Sequence, residues 1–415
     1  MATNLQIDKE RLWSSLMETA KIGGTAKGGI RRLTLSDEDK EVRDWFKAAC
    51  EAEGLTVAID ALGNMFATRP GTDPDAAPIA FGSHLDTQPA GGKFDGILGV
   101  LAGLEAIRTM NAAGYQTRAP ITLINWTNEE GARFAPAMMC SGVFSGEIPM
   151  EQALATKDND GRVFGEELER IGYRGPETVG ARSFAAFVEL HIEQGPILEA
   201  EEKTIGIVTD GQGILWFDGT IVGQDCHAGT TPMPMRRDAL VALAEMILAI
   251  EAIALDHAPS GHATVGEVFA LPGSRNTIPG TTHFKADFRH PDRDALTHME
   301  EDLHARVAAI AQKRNVTIDI RRVWRKDPIA FDPMVVEAVA ASAQKNGFSA
   351  RRIISGAGHD AFFMASTCPT GMIFVPCAGG ISHNEEESAT EDDCGAGAQV
   401  LLDTILRLDE ALSGA

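Results

Sequence analysis

Three apolar segments of this chain end abruptly in acids and histidines. Residues 78–86 read PIAFGSHLD, 119–131 read APITLINWTNEEG, and 183–195 read SFAAFVELHIEQG. Bodies this apolar need cover on both faces, the pattern of strands in a mostly parallel sheet. Their polar C-terminal ends then gather at one edge, where open α/β sheets carry their sites. The intervening sequence predicts amphipathic helices over 8–20 and 36–53, the second opening on Ser36 as N-cap with Asp37 and Glu38 behind it. A hairpin is expected around Leu62-Gly63-Asn64, a helix over 96–113, and a run of helix into strand across 183–195.

The pattern changes near residue 211. ILWFDGTIVGQDCHAG reads as one period-2 strand, RRDALVALAEMILAIEAIALD as a long helix, and HATVGEVFALPG and TTHFKADFRH as strands. A helix over 293–313 and the strand VTIDIRRVW complete a β-α-β-β-α-β order, the ferredoxin-like arrangement. After Pro328 the α/β character returns, with a helix near 333–346, an apolar strand at GMIFVP and a terminal helix over 391–412. The expected fold class is therefore α/β, with a discontinuous catalytic domain (1–210 and 330–415) around a mostly parallel central sheet. An α+β domain (211–329) is inserted into it. The length of 415 residues fits two cores better than one.

Composition excludes several classes. A net charge of −22 leaves no basic surplus for displacing phosphate counterions, so no nucleic-acid partner is expected, nor an anionic membrane surface. No segment reaches the roughly 20 apolar residues of a spanning helix, and MATNLQIDKERLWSSLME lacks the pattern of a secretory signal. Six scattered cysteines without a CxxC pair suggest a reducing compartment, the cytoplasm.

The chemistry concentrates in four places. In GSHLDTQPAGGKFDGILG, His84 and Asp86 stand two apart at a strand end, which suits an imidazole ligand oriented by a carboxylate. Asp95 follows in a Gly-rich turn that lets a short carboxylate approach cations. In Asn128-Glu129-Glu130-Gly131, adjacent acids in a pocket repel unless a cation compensates, and strand alternation would send them to different tasks. His191 in ELHIEQG and His383 in GGISHNEEES say little alone, because most single histidines are core or surface residues. Together, three histidines and at least two carboxylates make the ligand set of a mixed N/O two-metal site.

GSHLDTQPAGGKFDG, the NEEG turn, ELHIEQGP and GISHNEEE resemble the M20 metallopeptidase superfamily. More narrowly they resemble its hydantoinase/carbamoylase branch of N-carbamoyl-L-amino acid hydrolases, β-ureidopropionases and allantoate amidohydrolases. The resemblance runs in order through nearly the whole chain. It implies Asp95 as the carboxylate bridging two ions, with His84 and His191 completing one site and Glu130 and His383 the other. It implies Glu129 as general base and proton shuttle, and Asp86 as the carboxylate behind His84. His227 in GQDCHAGTTPM, Asn276 in GSRNTIPG and Arg289 in KADFRHPD match the substrate-binding set. Gln194 and the backbone of GAGHDA, Gly358 included, would also approach substrate, while His359 and Asp360 shape the loop. The inserted domain would act as lid and dimerisation domain, giving a homodimer.

The expected reaction is hydrolysis of the carbamoyl C–N bond of an N-carbamoyl-L-amino acid to amino acid, carbon dioxide and ammonia. Two divalent ions per subunit are implied, and Zn, Mn, Co and Ni all suit such ligands. Arg289 would grip the substrate carboxylate bidentately and His227 the oxyanion. Rival readings keep the chemistry but change the substrate to a β-ureido acid, allantoate or a dipeptide, or make the chain a non-catalytic metal- or amino-acid-binding protein.

Overall fold

A computed structural model describes residues 4–412. The chain forms two compact units, Met1–Thr209 with Phe331–Ala415, and Asp210–Ala330.

In the first unit the sheet runs in the order Thr56–Ile59, Met65–Arg69, Ile121–Trp126, Ile79–His84, Ala186–Ile192, Thr370–Val375 and Ile205–Gly211. Its four middle strands are parallel, and the flanking pairs are antiparallel. Every residue of Ile79–His84, Ile121–Trp126, Ala186–Ile192 and Thr370–Val375 is buried, as two-sided helix cover requires. The helices Ile97–Ala112 and Glu391–Leu412 pack on these strands and on each other. Ile97–Ala112 is apolar nearly all round and buried from Ile97 to Ile107. Ser36 caps Asp37–Ala52, its hydroxyl accepting from the Asp39 amide at 3.2 Å. The hairpin forms as expected, pairing Ile59 with Met65. The helix expected at the start of SFAAFVELHIEQG is absent. Residues 183–185 form no regular element, and the Ala185 amide donates to the Pro78 carbonyl as the chain enters the sheet.

The second unit is a four-stranded antiparallel sheet in the order Thr317–Lys326, Gly213–Val222, Thr281–His290, His262–Leu271. The helices Ala239–Asp256 and Arg293–Arg314 bury Leu243, Met246, Leu296 and Leu303 against Leu215, Phe217, Phe284 and Phe288. Alternation leaves the other sheet face to Trp216, Asp287, Arg289 and Trp324. The expected long strand over 214–229 is broken. It stops at Val222, and Cys226–His227 pairs separately with Thr277–Ile278. Gly223 makes the break, because a Cβ there would stand 1.9 Å from the Arg237 carbonyl oxygen. Among the described residues no helix is long and apolar enough to cross a membrane.

Candidate active site

At the C-terminal ends of the parallel strands, five side chains form two groups that share one carboxylate. His84, Asp95 and His191 make the first, and Asp95, Glu130 and His383 the second, with ligand atoms in each group within 4.8 Å of one another. The Asp95 Oδ1 lies 3.1 Å from His191 Nε2 and 3.5 Å from His84 Nε2. His383 Nε2 is 3.5 Å from both Asp95 Oδ2 and Glu130 Oε2. His84 and His191 end buried strands, whereas His383 sits in a loop with φ +54°.

The ring nitrogens carry the test for metal. His84 Nδ1 faces the Asp86 carbonyl and His191 Nδ1 the Ile192 carbonyl, each at 2.9 Å. Carbonyls only accept, so these partners assign the protons to Nδ1 and leave lone pairs at both Nε2 atoms. The Gly96 amide indeed donates to His191 Nε2 at 3.0 Å. Lone pairs on both imidazoles thus converge on a carboxylate that is itself an acceptor. Only a proton or a cation between them makes that arrangement favourable, and the N/O donor set suits divalent transition ions. The residues fit a metal.

Charge tells the same story. Burial, helped by Asp360, Glu130 and Asp95 and opposed by His84, pushes Glu129 well above the ordinary carboxylate range. Burial and Asp95 do the same to Glu130. Burial also disfavours a charge on Asp95 and on His84. With a proton rather than an ion in that gap, the protonated His191 and His84 rings donate through Nε2, outweigh burial and hold Asp95 far below its usual value, while Glu129, Asp95 and Asp86 raise His84 well above. Protons are here crowded into a buried acid–imidazole cluster that bound cations would neutralise.

Two details differ from expectation. Asp86 meets His84 through its main-chain carbonyl, and its carboxylate stands 3.8 Å from the ring. That carboxylate instead accepts from the amides of Glu129 and Glu130 at 3.3 and 3.4 Å and from the Thr34 hydroxyl at 2.6 Å. Glu129 and Glu130 do diverge, but a bend rather than strand alternation separates them. The strand stops at Trp126, and Asn128 takes φ +59°. Glu129 Oε2 turns to His84 Nε2 at 3.5 Å, and Glu130 turns to His383 and to Gln88, whose side-chain amide donates at 2.7 Å.

Gln194 joins the cluster, its amide donating to Asp95 Oδ2 at 2.8 Å while its buried carbonyl oxygen has no partner. Gly358 lies in the loop before Asp360–Met364, where the Ser355 hydroxyl donates to the Ala357 carbonyl. His359 is buried with its ring centroid 4.5 Å from that of His191, and Asp360 accepts from Ser141. Sequence reasoning passed over Gln88, Glu189, Ser382 and Glu387. Glu189 was findable, since it stands two residues before His191 on one strand and accepts from Ser83 at 2.6 Å. Glu387 was not, because nothing distinguishes it from Glu385 and Glu386 beside it. Burial, then the Asp95 charge, raises its carboxyl to about 7.

The other three expected residues belong to the second unit. His227 and Asn276 lie together, since His227 pairs with Thr277 and the Ala228 amide donates to the Asn276 carbonyl at 2.9 Å. His227 Nδ1 accepts from the amides of Gly229 and Thr230, which assigns its proton to Nε2 and makes that atom a donor. Arg289 stands on the helix-free sheet face, with Nε 3.1 Å from Asp287 Oδ1 and Nη2 3.0 Å from Oδ2.

The model of peptidase family M20/M25/M40 matches residues 80–407. An N-carbamoyl-L-amino-acid amidohydrolase of Rhizobium meliloti is 50% identical over 407 residues, covering 98% of each chain. A ureidoglycolate hydrolase of Arabidopsis thaliana is 34% identical over 98% of this chain and 88% of its own length. The crystal structure of an amidase of the hydantoinase/carbamoylase family from Burkholderia multivorans superimposes with a TM-score of 0.91. It is 52% identical, over 97% of this chain and 98% of that one.

Proposed function

The chain belongs to peptidase family M20/M25/M40, in its hydantoinase/carbamoylase branch, and from that premise we propose that it hydrolyses N-carbamoyl-L-amino acids. The products are the free amino acid, carbon dioxide and ammonia. The observation that carries this reading is one buried carboxylate, Asp95, shared by two ligand groups beside a further buried carboxylate, Glu129.

In this reading His84, Asp95 and His191 hold one divalent ion, and Asp95, Glu130 and His383 a second. Ions held there would acidify water and polarise the ureido carbonyl. Glu129 takes the proton of the attacking water and returns one to the leaving nitrogen. Asp86, by holding the amides of Glu129 and Glu130, keeps the two acids apart. Gln194 and the Gly358 backbone line the substrate's path. Arg289 and Asn276 bind its carboxylate, and the His227 Nε2–H donates to the developing oxyanion.

The second unit also carries the pairing of two copies in this proposal. Leu248, Leu255 and Phe269 are exposed there by 65, 67 and 58%, on the Ala239–Asp256 helix and the edge strand His262–Leu271. Apolar exposure on that scale supports an interface, and sedimentation of the intact chain as a monomer would rule it out. The cytoplasm, where six free cysteines stay reduced, is the compartment that suits the chain.

The deciding experiment is ammonia release from N-carbamoyl-L-amino acids, N-carbamoyl-β-alanine, allantoate and ureidoglycolate. Each is supplied with Zn, Mn, Co or Ni, with a chelated control. Fastest turnover of an N-carbamoyl-L-amino acid, abolished by chelator, is expected. Turnover confined to another ureido acid would transfer the function to that substrate.

A further inference from the structure

His383 is the most exposed ligand of the set, with 51% of its side chain open, and it stands on a left-handed residue in a loop. Nothing in regular secondary structure fixes it against Asp95, which comes from a different loop nearly three hundred residues earlier in the chain. Glu387 spans that gap. It is only 4% exposed, and its Oε1 accepts from the backbone amides of Phe94 and Asp95, each at 3.1 Å. Its Oε2 meets the Ser382 hydroxyl at 3.0 Å, and the same hydroxyl lies 3.0 Å from Asp95 Oδ2. One side chain therefore touches the backbone of the bridging acid and, through Ser382, its carboxylate.

The surrounding chain makes room for this. A Cβ on Gly92 would stand 2.1 Å from Glu387 Oε1 and 2.2 Å from its Cδ, so only glycine admits the carboxylate to that turn. Two residues earlier Glu385 ties the outer side of the His383 loop to Thr25 and Lys27. The ion pair to Lys27 is solvent-exposed on the lysine side and of small worth. The inward anchor is Glu387.

We propose that Glu387 is a positioning residue that locks the His383 loop to the Asp95 turn, and so sets the affinity of the Asp95–Glu130–His383 group for its ion. This rests on the ligand assignment proposed above. Partners standing behind metal ligands typically change affinity by about 10–100-fold. Asp95 serves both groups, but Ser382 meets its Oδ2, the oxygen that faces His383, whereas Oδ1 faces His191 and His84 on their buried strands, so the loss here should fall on the ion of the His383 group.

The test titrates the metal-free, full-length protein with zinc alone and reads stoichiometry and both dissociation constants. The wild type should bind two equivalents. Glu387→Ala should bind one of them as tightly as before and the other about 10–100-fold more weakly, as His383→Ala does more severely. Glu387→Gln should restore it, since its carbonyl still accepts both amides and its amide donates to Ser382, whose hydrogen then turns to Asp95. Should Glu387→Ala not fold, Ser382→Ala cuts the arm to the Asp95 carboxylate and must weaken the same single ion. Unchanged affinities, equal weakening of both ions, or no rescue by glutamine overturn the positioning role. A wild type that binds fewer than two ions overturns the ligand assignment, and this inference with it.

Discussion

The indole N–H of Trp216 donates to the Asp287 carboxylate at 2.8 Å, directly across the strand pair that joins them. Asp287 in turn grips Arg289 through two nitrogens, and Trp324 packs edge-on to Trp216 with centroids 4.7 Å apart. In the role proposed for Arg289, this grip orders the guanidinium beforehand and lowers the cost of fixing it on binding.

Trp216→Phe keeps the packing and removes one hydrogen bond, worth about 1 kcal/mol. KM for an N-carbamoyl amino acid should rise about fivefold, with kcat nearly unchanged. Asp287→Ala should raise it further, about 10–100-fold, since a charge-assisted pair is lost. An equal effect on the corresponding amino-acid amide, which has no carboxylate, would show that Arg289 is not the group being aimed.

Glu129→Gln retains shape and hydrogen-bonding capacity but cannot accept a proton. Turnover should fall by about 10²–10⁴, with zinc content and KM close to wild type. Turnover near the wild-type level would remove Glu129 from the proton transfer. Loss of metal would instead make it a ligand.

Gly96 and Gly114 both adopt left-handed φ, +68° and +63°, but only the first is crowded. A Cβ on Gly96 would come within 2.3 Å of the His84 ring, whereas at Gly114 it would meet nothing within 4 Å. Gly114→Ala should therefore cost only the backbone strain, about 1–2 kcal/mol, and keep full metal content. Gly96→Ala should lose an ion and most activity. Equal metal content in the two variants would show that the contact is harmless.

Glu245 links the two helices of the second unit, bonding Arg314 and Lys313. Arg314 first, then Lys313, lower its carboxyl from 4.5 to about 2. A depressed acid contributes stability above its unfolded pKa and loses it as pH falls through the folded one. Between about pH 4.5 and 2 the wild type should therefore lose more stability than Glu245→Gln. Urea midpoints measured across that window decide the matter, and parallel curves would mean the ion pairs persist in the unfolded chain.

The strands that bear the site were legible because each had to be apolar along its body and polar at its end. His84 was placed by that rule, His191 only once the motifs were read together in order, and the insertion by its change of period near residue 211. What lay beyond the last strand residue was harder. Asp86 lies just past its strand, where its carboxylate turns to the Glu129 and Glu130 amides, and Glu129 sits in a bend made by left-handed Asn128; no periodicity reports either. His383 and Glu387 occupy a loop defined by tertiary bonds to Phe94 and Asp95, contacts that exist only after the sheet has formed. The break at Gly223 has the same origin, since it depends on Arg237, fourteen residues on.

The interrupted first unit has a consequence for how the chain is made. The strand Ala186–Ile192 leaves the ribosome long before its parallel neighbour Thr370–Val375. At ordinary elongation rates the interval is on the order of ten seconds or more. Throughout it one edge of a strand that is wholly buried in the finished sheet stands open, the condition that invites chain-to-chain pairing. The inserted unit, whose strands are all complete by Lys326, can fold within that interval. Synthesis rate and chaperone supply, more than equilibrium stability, should then limit the yield of soluble protein.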